Sequence, residues 1–178
     1  ATGVKDHLPS IAGMDNLFGQ GVFHCPYCDG WEAHDKAIAI VANGETALHF
    51  SKLLHSLSKD IVICTNGELD IADMDVHRLT ELGIRIITTP IIQVNSTDAG
   101  LDGLTFADGT FLQREVIFLK PPQSQSSALP AKLGCLFTEM GHVKVDEHGK
   151  TSIAGIFAAG DLTSPTQAVV LAASKGFS

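Results

Sequence analysis

The sequence has few basic residues and no long apolar run. Its 178 residues include 12 Lys and Arg against 20 Asp and Glu, which gives a formal net charge of −8. This charge balance makes nucleic acid and anionic membrane surfaces poor partners. No apolar stretch is long enough to span a bilayer, and the N-terminus lacks the basic-then-apolar order of a signal peptide. We therefore expect a cytoplasmic protein that binds neither nucleic acid nor membranes.

Cysteine is also scarce, and it is unevenly placed. The four cysteines, at positions 25, 28, 64 and 135, are too few for a secreted fold held together by disulfides. Cys64 and Cys135 each stand alone among apolar residues, which predicts small buried side chains. The pair at 25 and 28 is the candidate for redox chemistry or metal binding. Hydrophobic residues make up 44% of the chain, enough for one ordinary domain or two small ones.

Residues 25–30 read Cys-Pro-Tyr-Cys-Asp-Gly and are the most informative segment of the chain. Two thiols separated by two residues can close a small reducible ring, and a nearby helix N-terminus or cation lowers the pKa of the attacking thiol. Asp29, directly after the second cysteine, is a candidate proton donor. Dithiol exchange is the first hypothesis. A zinc site is an alternative because His24 and His34 lie close by, although a second pair of ligands at suitable spacing is missing.

Residues 36–65 have the pattern of one β-α-β unit. Residues 37–41 and 61–64 form continuous apolar runs, as expected for buried parallel strands. Between them, apolar positions recur at intervals of three and four, the spacing of one helical face: Ala47, Phe50, Leu53, Leu54 and Leu57. The pattern predicts two parallel neighbouring strands joined by a right-handed crossover.

The middle of the chain predicts an antiparallel meander. A helix over residues 73–82 and a strand over 84–87 come first. Residues 104–106 and 110–112 then flank an Asp-Gly pair, which is a strong hairpin signal. A further strand over 114–119 would complete the meander beside the parallel unit.

A change of composition marks the last third of the chain. Residues 121–127 contain two prolines and a polar run without a core face, which predicts a crossing between domains. Beyond it we expect short strands over 142–146 and 156–159 and a helix from 166 to about 175.

Three separated motifs follow one another in a recognisable order. Residues 1–3 read Ala-Thr-Gly, the dithiol segment follows, and residues 156–161 read Ile-Phe-Ala-Ala-Gly-Asp before Thr-Gln-Ala at 166–168. With the β-α-β unit, this order resembles the low-molecular-weight thioredoxin reductases, flavin-dependent pyridine-nucleotide disulfide oxidoreductases. The resemblance implies an α/β, three-layer, Rossmann-like FAD/NAD(P)-binding fold with a parallel sheet and an antiparallel β-meander.

In that family a nucleotide-binding domain is inserted into a discontinuous flavin domain. The resemblance therefore implies that residues 1–8 end a first FAD segment and that 122–178 form a second. Residues 9–121 would be the inserted NAD(P)H-type domain, which carries the dithiol. The Gly-rich turn for the FAD pyrophosphate would then lie in an N-terminal portion outside the given sequence. Family members are commonly homodimers, and we expect the same of the full-length protein.

The resemblance also assigns roles around the dithiol. Cys28 matches the cysteine that faces the flavin ring, Cys25 matches the thiol that attacks the substrate disulfide, and Asp29 matches the acid that manages protons. The expected function is electron exchange between FAD, this cysteine pair and a thioredoxin or a small disulfide.

On the flavin side, the resemblance assigns six residues to FAD binding. They are Thr2, Gly3, Gly160, Asp161, Gln167 and Ala168. Asp161 is expected to accept hydrogen bonds from the ribityl chain, and Gly160 to permit a close backbone approach. Gln167 and Ala168 are expected to lie against the isoalloxazine at the start of the final helix.

The nucleotide-binding turn departs from the family pattern. Where the family carries GxGxxA, only the middle glycine and the last alanine remain, and the degenerate turn consists of Asn43, Gly44, Glu45 and Thr46. A side chain at Ala42 raises the cost of the tight turn. Residues 64–68 contain no Lys or Arg to bind a 2′-phosphate, so the choice between NADPH and NADH stays open.

Two alternative functions remain at this point. The altered turn is similar to a divergent branch of the family, the dithiol oxidases of disulfide-containing natural products, which use oxygen as the acceptor. Cys-Pro-Tyr-Cys is also the active-site tetrapeptide of glutaredoxins, and Thr-Pro at 89–90 imitates their supporting element. Residues 29–31, however, interrupt the helix that a glutaredoxin needs after its second cysteine.

Overall fold

The computed structural model describes residues 1–177, in which short strands and helices alternate. The strands are β1 (Val4–Asp6), β2 (Val22–Phe23), β3 (Ile38–Val41), β4 (Ile61–Cys64), β5 (Arg85–Ile87), β6 (Ile91–Thr97), β7 (Gly100–Phe106), β8 (Phe111–Gln113), β9 (Val116–Leu119) and β10 (Gln123–Gln125). The α-helices are α1 (Met14–Leu17), α2 (Pro26–Asp29), α3 (Gly44–Leu54), α4 (Asp73–Glu81), α5 (Leu129–Lys132) and α6 (Val169–Phe177). Short 3-10 helices occupy Trp31–Ala33 and Asp161–Thr163.

The chain divides into two compact units. Residues 8–121 form one, which we call the dithiol unit, and residues 1–7 together with 122–178 form the other, which we call the split unit. The dithiol unit contains β2 to β9 and α1 to α4. The split unit contains β1, β10, α5 and α6.

A five-stranded parallel sheet in the order β2-β9-β3-β4-β5 is the centre of the dithiol unit. β3 pairs with β4 from Ile38–Ile61 to Val41–Cys64, and α3 connects the two strands. This arrangement confirms the predicted β-α-β unit. Nearly every residue of β3, β4 and β9 is buried, because other elements cover both faces of the sheet.

Alternate residues of the sheet enter two separate apolar clusters. On one face, Ile38 and Ile40 pack with side chains of α3 and α4, among them Phe50 and Leu79. On the other face, Ala39 packs in a cluster that includes residues of α1, β6 and β7: Met14, Val94, Leu104 and Phe106. The resulting layers are helices, parallel sheet, and meander with α1, which confirms the expected three-layer α/β fold.

The antiparallel meander consists of β6, β7 and β8. Its second turn forms at the predicted Asp-Gly pair, where Asp108 Oδ1 accepts hydrogen bonds from Thr110 N at 3.0 Å and Thr110 Oγ1 at 2.7 Å. The expected third strand over 114–119 is wrong as a meander strand. That segment contains β9, which pairs in parallel with β2 and β3. Its four consecutive buried residues suit a central strand covered on both faces.

The two lone cysteines are buried, as predicted. Cys64 is fully buried at the end of β4, and burial raises the pKa of its thiol to about 12. Cys135 is 6% exposed in a small apolar cluster of the split unit with Val143, Ala158 and Leu162. Neither thiol is therefore a candidate nucleophile.

In the split unit, β1 and β10 form an antiparallel ribbon. The strands predicted over 142–146 and 156–159 are wrong, because these segments make only isolated bridges. Asp146 Oδ1 accepts hydrogen bonds from His148 N and Lys150 N, both at 2.9 Å, so backbone groups there are satisfied locally. The final helix begins at Val169, three residues later than predicted. Among residues 1–177, no helix is long and apolar enough to cross a membrane.

An ion pair joins Arg114, between β8 and β9, to Asp60, the residue before β4. The Arg114 side chain is only 5% exposed, and its Nη1 lies 2.8 Å from Asp60 Oδ1. The Asp60 side chain is 62% exposed, and Arg114 Nε is buried without a hydrogen-bond partner. The pair is thus asymmetric, with a buried cation and a hydrated anion.

This asymmetry predicts unequal effects of removing either partner. Asp60→Asn leaves a buried guanidinium without its anion and is expected to lower the free energy of unfolding by about 2 kcal/mol. Arg114→Met leaves a carboxylate that water can solvate, so its cost is expected to stay below about 1 kcal/mol. Urea denaturation of both variants measures the difference. Asp75→Asn, which removes the surface pair with Arg78, serves as control. A smaller loss for Asp60→Asn than for Arg114→Met would contradict this account.

Candidate redox site

The dithiol lies on a short helix at the carboxyl edge of the parallel sheet. β2 ends at Phe23, and α2 begins three residues later at Pro26, with Cys25 as its N-cap residue. Proline suits this position because the amide it lacks would have no partner inside the helix. Cys28 N and Asp29 N both donate to Cys25 O at 3.1 Å, which places the two cysteines on one turn.

Gly30 ends this helix and allows the next turn to pack tightly. A Cβ atom at position 30 would lie 2.2 Å from Pro26 O, so no other residue fits without movement of the backbone. The chain then continues into the 3-10 helix Trp31–Ala33, where Ala33 N donates to Gly30 O at 3.1 Å. The helix after the second cysteine is therefore interrupted, as the sequence predicts.

The two sulfur atoms are close enough to react with each other. Cys28 Sγ donates a hydrogen bond to Cys25 Sγ across 2.7 Å, whereas a disulfide bond measures about 2.05 Å. Both cysteines are free thiols, with Cys28 exposed and Cys25 half-buried. The hydrogen bond to Cys25 raises the pKa of Cys28 to about 11, with smaller contributions from desolvation and from the charges of Cys25 and Asp29. Cys28 therefore keeps its proton at neutral pH, and Cys25 is the sulfur that accepts the hydrogen bond.

Asp29 is the acid that directly follows Cys28, and its carboxyl group has a raised pKa. Partial burial raises the pKa of its carboxyl group, Glu32 raises it further, and the positive charge of His24 opposes both effects. His24 itself stacks on Phe18, with ring centroids 5.9 Å apart and an interplanar angle of 26°. Among residues 1–177, no group of three or more His, Cys, Asp or Glu side chains is arranged to hold a metal ion.

The degenerate nucleotide turn is held by its own asparagine. Asn43 Oδ1 accepts hydrogen bonds from Gly44 N at 3.0 Å and from Asp70 N at 2.9 Å, while Asn43 Nδ2 donates to Glu68 O at 2.7 Å. The loop after β4 is thereby tied across the N-terminus of α3. Asp70 Oδ2 lies 3.4 Å from the position that a Cβ atom on Gly44 would take.

The surroundings of this turn are acidic. Glu68 and Asp70 come from the tied loop, and Glu45 is in the first turn of α3. Residues 41–51 and 60–77 contain no lysine or arginine. A phosphate at the α3 N-terminus would meet carboxylates where a cation is usual, and the Gly44 amide is already bonded to Asn43.

In the split unit, the predicted flavin residues occupy two places. Gly160 has φ 85°, which favours glycine, and its carbonyl accepts hydrogen bonds from Thr163 N at 2.9 Å and Thr163 Oγ1 at 2.8 Å. The half-buried Asp161 side chain makes no hydrogen bond or ion pair within residues 1–177. Its carboxylate is thus available to accept hydrogen bonds from a bound ribityl chain, and these two residues fit the FAD contact that the resemblance implies.

Of the other predicted flavin residues, three make hydrogen bonds within the split unit and one is exposed. Gln167 and Gln123 form a reciprocal amide pair, at 2.7 and 3.2 Å, and Gln123 also donates to Asp6. Ala168 O accepts the first hydrogen bond of α6, from Ala172 N at 2.9 Å. Near the start of the chain, Thr2 is exposed, and the carbonyl of Gly3 accepts a hydrogen bond from Ser126 N.

Comparison with known proteins places the chain in a family. The profile of the pyridine nucleotide-disulphide oxidoreductases matches residues 1–176, and the chain belongs to this family. It is 31% identical over 212 residues to a thioredoxin reductase of Gibberella zeae, covering 99% of this chain and 61% of that protein. It is 30% identical to the thioredoxin reductase sirT of Leptosphaeria maculans, covering 100% of this chain and 59% of that protein.

Solved structures agree with this placement. A putative thioredoxin reductase, TrxB from Bacillus anthracis, superposes with a TM-score of 0.89 at 33% identity, covering 99% of this chain and 60% of that one. The structure of HlmI superposes with a TM-score of 0.88 at 30% identity, covering 99% of this chain and 55% of that one. The chain thus spans about three fifths of the length of such relatives. Members of the family bind FAD together with NAD(P)H.

Two features of the site are not indicated by the sequence patterns described above. The first is the set of hydrogen bonds between Asn43 and the loop after β4. Its partners, Glu68 and Asp70, are 25 and 27 positions away along the chain, so no local pattern indicates these bonds. An Asn directly before the first turn of a helix is nevertheless a common N-cap, and that signal was available. The second feature is the contact between Trp31 and His34, whose ring centroids lie 5.5 Å apart.

Proposed function

We propose that the full-length protein is a flavin-dependent dithiol/disulfide oxidoreductase. In it, Cys25 and Cys28 exchange electrons between FAD and a thioredoxin or a small disulfide. The sulfur pair carries the proposal, since two free thiols lie 2.7 Å apart on an accessible turn beside an acid of raised pKa. FAD, when bound, supplies the two-electron exchange with this pair.

Cys25, Cys28 and Asp29 have separate roles in the proposed exchange. The Cys25 sulfur attacks one sulfur of the substrate disulfide, so that a mixed disulfide forms and one substrate thiolate leaves. Cys28 then loses its proton and attacks Cys25 Sγ, which releases the second substrate thiolate and closes the Cys25–Cys28 disulfide. Asp29, protonated more readily than a free carboxyl, delivers a proton to a leaving thiolate or accepts one in the reverse direction.

The two compact units supply the proposed domain roles. We assign residues 9–121 to the NAD(P)H-type domain that carries the dithiol, and residues 1–8 and 122–178 to segments of the flavin domain. The available carboxylate of Asp161 and the turn at Gly160 support the flavin assignment. We further propose that the full-length protein is a cytoplasmic homodimer, as members of the family commonly are.

A second candidate differs in the electron acceptor. The Asn43 tie and the three carboxylates around the turn favour a protein that does not take electrons from NAD(P)H. In that case electrons enter from a substrate dithiol at Cys25 and Cys28, and oxygen is the final acceptor. Loss of a backbone phosphate contact together with the added negative charge is expected to weaken dinucleotide affinity about 100-fold.

Anaerobic mixing tests both candidates in one experiment. The full-length protein is mixed with NADPH, NADH or dithiothreitol, and bleaching of the flavin absorbance is followed. Rapid bleaching by dithiothreitol supports exchange between dithiol and flavin, and its absence contradicts the proposal. Slow bleaching by both nucleotides supports the oxidase, whereas fast bleaching by either contradicts it.

A double variant of the nucleotide turn tests whether the hydrogen bonds of Asn43 limit the reaction with NAD(P)H. The double change Asn43→Gly and Asp70→Asn removes the tie and one carboxylate, and it is expected to raise the rate of bleaching by NAD(P)H. Glu81→Gln, which neutralises an exposed acid at the far end of α4, is the matched control and should leave that rate unchanged. If the double change leaves the nucleotide rates unaltered, the tie is not what limits nicotinamide use.

A further inference from the structure

Two large aromatic rings project beside the dithiol. Tyr27 is 74% exposed and Trp31 is 76% exposed, although tryptophan is otherwise a residue of interiors and interfaces. Tyr27 lies between the two cysteines on α2, and Trp31 follows Gly30 at the start of the 3-10 helix. Exposed Trp and Tyr next to a reactive group are the usual anchors of a protein–protein contact.

One flank of the Trp31 ring contacts the imidazole ring of His34. Its centroid lies 5.5 Å from that of His34, at an interplanar angle of 41°. His34 Nδ1 in turn lies 2.8 Å from Asp35 Oδ2, and Asp35 N donates to Leu57 O at 3.1 Å. An indole supported in this way loses little conformational freedom when a partner docks on it.

The same surface is negatively charged. Glu32 and Asp35 are exposed beside the rings, and Asp29 is close enough to Cys28 for its charge to raise the pKa of that thiol. Residues 6–35 contain no lysine or arginine. Lys36 follows this surface along the chain, and Lys120 follows β9, the strand paired with β2; neither forms an ion pair within residues 1–177.

Aromatic rings flanked by carboxylates are a surface for cations. A Lys or Arg side chain can stack on Trp31 while its charge pairs with Glu32 or Asp35. The cysteine pair lies on this surface, with Cys28 exposed and the attacking Cys25 half-buried, so a polypeptide segment can reach the Cys25 sulfur from the side of the rings.

We propose that the dithiol face, formed by Tyr27, Trp31, Glu32 and Asp35 around the cysteine pair, docks a protein partner whose disulfide is flanked by basic residues. This proposal rests on the proposed dithiol exchange and names its substrate class. In the exchange, Cys25 and Cys28 are oxidised to a disulfide, and the partner disulfide is reduced to two thiols that take up the protons. The docking contacts set the rate of the first attack, which forms the mixed disulfide.

Three matched peptide disulfides test the charge preference. Acetylated and amidated cyclic hexapeptides with the sequences KCGPCK, SCGPCS and ECGPCE differ only in their flanking charge. The full-length protein is reduced anaerobically and freed of reductant, and each peptide is added at low salt. The reaction is quenched by alkylation, and peptide mass spectrometry counts the free thiols at Cys25 and Cys28.

The rates are divided by those of dithiothreitol with the same peptides, because flanking charge also changes the leaving thiolate. We expect the basic peptide to react about tenfold faster than the acidic one after this correction, with the neutral peptide between them. The preference should shrink as salt is raised.

Two variants and one control test which residues cause the charge preference. Glu32→Gln is expected to reduce the charge preference about threefold, and Asp98→Asn, a neutralisation at the exposed β6-β7 turn, is expected to leave it unchanged. Trp31→Ala should slow the basic peptide but leave 2-hydroxyethyl disulfide, a small uncharged disulfide without a peptide chain, at its original rate.

The outcomes separate this proposal from the one on which it rests. If none of the peptides oxidises the cysteine pair, the dithiol function fails. If all three react at equal corrected rates, the function stands and the charge preference is overturned. If 2-hydroxyethyl disulfide slows as much as the basic peptide in Trp31→Ala, Trp31 acts on the cysteine pair itself, and docking of a polypeptide on the ring is overturned.

Discussion

Replacing Cys28 by serine is expected to stop electron transfer between the dithiol and the flavin of the full-length protein. The Cys25–Cys28 disulfide cannot form without the second sulfur, which lies 2.7 Å from the first. We expect the rate of flavin bleaching by dithiothreitol under anaerobic conditions to fall by at least about 1,000-fold. Undiminished bleaching in this variant would remove the central claim.

The same variant also separates the roles of the two cysteines. Cys25 retains its thiol, so a substrate disulfide should accumulate as a stable mixed disulfide on Cys25, detectable by intact mass. The Cys25→Ser variant is expected to accumulate less, because desolvation and the charge of Asp29 still raise the pKa of the Cys28 thiol after the contribution of Cys25 is lost. Cys135→Ala removes a buried thiol outside the dithiol unit and should leave both readouts unchanged. Equal trapping on Cys28 would reverse the assignment of the attacking sulfur.

Local patterns in the sequence were sufficient for the β-α-β unit. Each of its strands is a continuous apolar run, and the helix between them repeats its apolar positions at three and four. Such patterns depend only on the residues within the element. The Asp-Gly hairpin was predictable for the same reason, because Asp108 satisfies the turn through Thr110, two residues away.

The place of β9 could not be predicted in this way. Its apolar run shows that it is a buried strand but does not show which strands it pairs with. Pairing with β2 and β3 depends on residues about 80 to 95 positions earlier in the chain, with Ile117 opposite both Val22 and Ala39. Its closeness to β8 along the chain favoured a meander strand. A strand whose residues are all buried needs other elements on both of its faces, and the position between β2 and β3 provides them.

The candidate site shows the same division. The dithiol, its acid and the interruption after the second cysteine follow from the seven consecutive residues 25–31. The tie at Asn43 does not, because it depends on the path of the loop after β4, which brings Asp70 N within 2.9 Å of Asn43 Oδ1. The sequence predicts a weakened nucleotide turn, and these contacts are a physical reason to expect that weakening.

Gly30→Ala is expected to disturb the dithiol more than any other single methyl group. The backbone angles of Gly30, φ −68° and ψ −32°, suit alanine, so the cost does not come from conformational strain. It comes from space, because the added Cβ atom would lie 2.2 Å from Pro26 O and 3.0 Å from Leu57 Cδ1. The leucine can rotate away, but the carbonyl is part of the helix that carries both cysteines.

Relief of this clash must therefore move α2 relative to the 3-10 helix that follows. We expect the free energy of unfolding to fall by about 1–3 kcal/mol. Thiol–disulfide exchange should slow by about 10–100-fold even under conditions where the variant is fully folded, because a displacement of roughly 1 Å changes the approach of the two sulfurs. Denaturation by urea and alkylation-quenched exchange measure the two effects separately.

Gly176→Ala is the matched control for this change. Position 176 lies in α6, and a Cβ atom there has no neighbour within 4 Å, so alanine should stabilise the helix by up to about 1 kcal/mol without altering exchange. If Gly30→Ala loses stability but exchanges at the original rate, the turn can move without displacing the sulfurs. The close packing at Gly30 would then serve the fold alone, and the geometry of the cysteine pair would be set within α2.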